Sequence, residues 1–106
     1  MTEDRPLLDT LVEMTASSVA RADLDDQSLM LVRLAGLIAV DAPPASYLLN
    51  LGPAAESGLT LEDVQSVLVA MAPIVGGPRV VSAAETIGVA LGFALAIEDA
   101  LEMEGS

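Results

Sequence analysis

The chain is 106 residues long, carries a net charge of −12, and is 53% apolar with two aromatic residues, Tyr47 and Phe93. That is one domain's worth of chain, residues 1–106, with an aliphatic core. It has no lysine, cysteine or histidine, and its four arginines (Arg5, Arg21, Arg33, Arg79) are scattered; this excludes a disulfide scaffold and thiol or imidazole chemistry, and it argues against nucleic acid and anionic membranes as partners, since an acidic surface repels both.

The pattern reads as helices joined by short connections. A first helix is expected over 6–22, where Pro6 suits an opening turn and Leu7, Leu8, Leu11, Val12 and Met14 mark an apolar face. Asp25 is placed to cap a second helix, with Leu24 and Leu29 spaced as a hydrophobic staple. That helix runs to about Val40 and stops before Pro43-Pro44. A third helix, bent by the Gly52-Pro53 inside it, is expected over 45–57. Gly58 ends it, Thr60 caps the fourth helix, Asp63 completes a capping box, and Leu59 and Val64 staple the start.

The fourth helix reaches about Ile74, with Pro73 loosening its end. After Gly76-Gly77-Pro78, a final helix starts at Pro78, or at Ser82 with Glu85 forming a second capping box, and runs to about Glu102. Glu98, Asp99, Glu102 and Glu104 give that end the wrong sign for a helix C-terminus, which predicts fraying. No stretch alternates with period two, so the expected fold is all-α. The acidic start does not read as a signal peptide, and the apolar runs 29–40 and 80–97 are too short or too charged to cross a membrane, which leaves a cytoplasmic protein as the expectation.

Two features point beyond a single chain. The apolar content exceeds what a small core hides, so a homo-oligomer is expected. In the last helix, Ala84, Gly88, Gly92, Ala96 and Ala100 recur at every fourth position and form a stripe. Interior glycines cost about 1 kcal/mol each relative to alanine. Close approach of another helix, from the same chain or across a subunit boundary, would offset that cost.

Three segments carry a resemblance. Asp25-Asp26-Gln27-Ser28-Leu29-Met30-Leu31-Val32 is similar to a helix with a Leu-Ser/Thr-Pro-like start. Ala54-Ala55-Glu56-Ser57-Gly58-Leu59-Thr60-Leu61-Glu62-Asp63-Val64 is similar to Ala-x-x-x-Gly-Leu-Thr-x-x-Glu-Ile, and Gly76-Gly77-Pro78-Arg79 followed by Ala83 is similar to a Gly-x-Pro-x segment and its helix. Over a core of 24–100 the chain resembles the carboxymuconolactone decarboxylase family, which includes the AhpD-like alkylhydroperoxidases. The resemblance implies an AhpD-like bundle of about five to six helices that assembles as a trimer or hexamer.

The family's thiol site is a glutamate followed by a Cys-x-x-Cys pair and a histidine. Its positions fall at Leu31, Pro43, Ser46 and Asn50, and none matches. A peroxidase of that kind needs an attacking thiolate and a resolving thiol. Ser46 has no redox ladder, and Asn50 can hydrogen-bond yet cannot shuttle a proton near neutral pH.

Ser46, Tyr47 and Asn50, at spacings of three and four, share one helical face, which the resemblance places on a pocket. With Arg79 they form the candidate pocket, suited to a small carbonyl compound or acid. Plainer readings stand beside it. Tyr47 is half-buried with its hydroxyl in solvent, Asn50 holds backbone freed by Pro53, and Ser46 caps the turn after Pro44. Arg79 pairs with an acid on another subunit, or binds an anion with the Gly76-Gly77 amides. Glu62, Asp63 and Glu85 read as carboxylates of first helical turns. Asp23, Asp25 and Asp26 lack the glycine and distal glutamate of a calcium loop, and no other spacing suggests a metal. No cofactor is implied.

The expectation is therefore a catalytically degenerate relative of that family, leaning away from an enzyme and acting as a small oligomeric binding or scaffolding module. The alternative is an enzyme that uses the non-thiol pocket on a small lactone or carboxylic acid.

Overall fold

A computed structural model describes residues 5–105, and the backbone alone of residue 51 and residues 93–105. These residues form five α-helices and no strand: α1 (Arg5–Arg21), α2 (Asp26–Ala39), α3 (Pro44–Glu56), α4 (Leu61–Val75) and α5 (Gly77–Gly105). The all-α expectation holds.

The boundaries have local causes. The Asp25 carboxylate accepts the Ser28 amide at 2.7 Å and caps α2. Those bonds to Ser28 hold its carboxyl below the ordinary value of 3.8. At α4 the capping box is complete: the Thr60 hydroxyl accepts the Asp63 amide at 3.2 Å, and the Asp63 carboxylate accepts the Thr60 amide at 2.9 Å. Gly58, at φ 93°, ends α3. Its amide donates to the Ala55 carbonyl and the Leu59 amide to that of Ala54, both at 3.1 Å, which is a Schellman ending.

The third helix keeps Pro53 inside it and α4 runs past Pro73 to Val75, each within a residue of the expected bounds. Other expectations are revised. Because α5 starts at Gly77, directly after Gly76 at φ 91°, Ser82 is interior and caps nothing. Its hydroxyl instead donates to Asp41 at 3.0 Å. The last helix extends beyond Glu102 to Gly105. The side chains of Phe93 and of the acidic C-terminal turn, and the stretch 1–4, lie outside the described residues.

Helices α2, α3, α4 and α5 pack on one another. Tyr47 and Ile38 are the largest fully enclosed side chains. Ala42, Ile87 and Ala90 join Tyr47 in one cluster, flanked by Leu34, Leu37, Leu48, Val64, Leu68 and Leu91. The core is thus aliphatic around one aromatic centre.

Helix α5 turns Ala83, Ile87 and Ala90 inward. That choice rotates the stripe outward: Ala84, Gly88 and Gly92 are exposed, and a Cβ added at Gly88 or Gly92 would meet nothing within 4 Å. Close packing of these three positions within the chain is therefore corrected. The side chains of Ala96 and Ala100 lie outside the described residues.

Helix α1 stands apart. All of its residues are exposed, including Leu7, Leu8, Leu11, Val12, Met14 and Val19. It has no extensive packing partner, and its side-chain tie to the bundle is the Arg33 guanidinium, which donates to the Thr15 carbonyl at 3.4 Å. The radius of gyration is 15.1 Å, against about 13 Å for a compact domain of this length.

Candidate functional site

Tyr47 sits in the first turns of α3, one residue past the end of the Pro43-Pro44-Ala45-Ser46 run that starts the helix. From there its ring enters the middle of the bundle. It is 1% exposed, and its hydroxyl is buried with no hydrogen-bond partner. The expectation of a hydroxyl reaching solvent is overturned. A buried, unpaired hydroxyl carries its full desolvation penalty. Burial, and secondarily the charge of Asp41, push the phenol above its ordinary value of 10.0, because both disfavour the phenolate.

Tyr47 and Asn50 share a small cavity with Met30, Leu34 and Leu37 of α2, Ala54 of α3, and Leu59 and Val64 around the start of α4. Its volume is about 20 Å³, the room of about one water molecule. The lining is almost wholly apolar, and Leu59 and Val64, spaced as a staple, meet there. The Asn50 amide is occupied: its Nδ2 donates to the Ser46 carbonyl at 2.8 Å, one turn back. It does not hold the backbone freed by Pro53, whose missing N–H would have served Leu49.

A second polar group lies at the corner where α2 ends and α5 begins. Asp41 is the one described non-glycine residue at positive φ, 54°. Its amide donates to the Ile38 carbonyl at 3.2 Å, and that of Ala42 donates to Leu37 at 3.0 Å. This is a second Schellman ending, with an aspartate where glycine or asparagine is usual. The acid also has the wrong sign for a helix C-terminus. Ser82 binds its carboxylate, and the Arg79 guanidinium donates to the Ala39 carbonyl at 2.8 Å, placing a cation over the negative end of α2. Arg79 thus serves α2 within this chain.

Of the candidate pocket, the structure brings Tyr47 and Asn50 together. Ser46 contributes its carbonyl, and its amide donates to Pro43 at 3.0 Å, so its hydroxyl makes no cap. Arg79 lies at the other corner. Leu31 and Pro43, the other two positions the resemblance picks out, are half-buried and exposed. Asp41 and its bond from Ser82 escaped sequence reasoning, because Val40-Asp41-Ala42 has no glycine to mark the turn. Among the described residues no three acidic groups gather to hold a metal, and no helix is long and apolar enough to cross a membrane.

Asp41→Asn keeps an acceptor for Ser82, suits the left-handed backbone, and removes the misplaced charge. It is expected to raise stability by about 0.5 kcal/mol, read as a higher denaturant midpoint. A lower midpoint would mean that the carboxylate has an ionic partner.

No family model matches this chain, and neither a curated protein nor a solved structure matches it.

Proposed function

We propose that this protein is a small self-assembling helical module, a cytoplasmic binding or scaffolding unit that lacks the thiol and imidazole groups of the family it resembles. The resemblance to the carboxymuconolactone decarboxylase family supports the bundle, and the sequence at Leu31, Pro43, Ser46 and Asn50 supports the loss of the family's chemistry. A thiolate or imidazole is what such chemistry requires, and the chain supplies neither.

One observation carries the self-assembly. The chain exposes 7466 Å², whereas a compact monomer of 10.8 kDa exposes about 5,500 Å². The surplus of about 1,900 Å² falls in the range of one protomer's share of an obligate homomeric interface. It is rich in large apolar side chains, among them the whole face of α1.

Sedimentation equilibrium of the intact chain at micromolar concentration is expected to give a multiple of 10.8 kDa. A single-chain mass at all concentrations would remove the basis of this reading. The purified protein is also expected to consume no peroxide with any thiol donor, and sustained turnover would overturn the non-catalytic part.

A further inference from the structure

We draw no further inference here: the strongest candidate, the small cavity that Tyr47 and Asn50 line between α2, α3 and the start of α4, belongs to the site already described, and its volume of about 20 Å³ leaves room for about one water molecule and no larger ligand.

Discussion

Tyr47→Ala is expected to lower the urea midpoint of the protein sharply. The ring is the largest group in the core, and removing a buried aromatic costs about 3–5 kcal/mol, since the lost burial is joined by a cavity that the bundle fills only in part. Domains of this size are stable by about 5–15 kcal/mol, so the variant should lose about a third or more of that stability and unfold at a much lower urea concentration. Tyr47→Phe moves the other way. It keeps the ring and removes the buried hydroxyl that has no partner, and it is expected to match or exceed the native midpoint by about 1 kcal/mol. A loss of 2 kcal/mol or more in that variant would mean that the hydroxyl is bonded, for instance through a water in the small cavity.

The same residue sets a pH dependence. Its phenol is raised above 10.0 in the folded chain. The stability contributed by the neutral phenol is fully present below the unfolded value near 10 and is lost as pH rises through the higher folded value. Tyr47 is the only tyrosine and there is no tryptophan, so phenolate absorbance reports on it alone. It should appear only above pH 10, together with unfolding. Simple titration at the ordinary value, with the helices intact, would contradict the burial.

Ala90→Leu is the second large effect. Ala90 is fully buried where α5 meets the Tyr47 cluster. Extra methylenes there force side chains or helices apart, at about 1–3 kcal/mol. Two residues earlier, Gly88 faces out with open space, and Gly88→Ala is expected to stabilise by about 1 kcal/mol through helix propensity alone. Denaturation of both variants checks the rotation of α5. If the signs are reversed, the stripe of small residues faces the core.

These contrasts show what was legible in the sequence. Asp25, Gly58, Thr60 and Asp63 act on neighbours within five residues, so their spacing alone reveals the helix ends. The rotation of α5 was not legible, because alanines lie on both of its faces and only packing against α3 and α4 selects Ala83 and Ala90 over Ala84. The Ser82–Glu85 spacing was a local signal that a distant partner overrode. Tyr47 illustrates a further limit: a tyrosine ordinarily keeps its polar tip wet, and nothing nearby in sequence announces that four helices close over it. Of the candidate pocket, the shared face of Tyr47 and Asn50 followed from helical spacing. Asp41, Ser82 and the role of Arg79 depend on contacts between α2 and α5 that no local pattern encodes.

The corner between α2 and α5 bears on the order of folding. Its two side-chain ties, Arg79 to Ala39 and Ser82 to Asp41, join residues 40 and 41 apart. Each closes a loop containing α3 and α4, and loop closure costs entropy before the contacts return anything. The helix ends around this corner need only neighbours. The α3 and α4 endings are therefore expected to form before the α2–α5 corner, an order that pulsed hydrogen exchange during refolding would read.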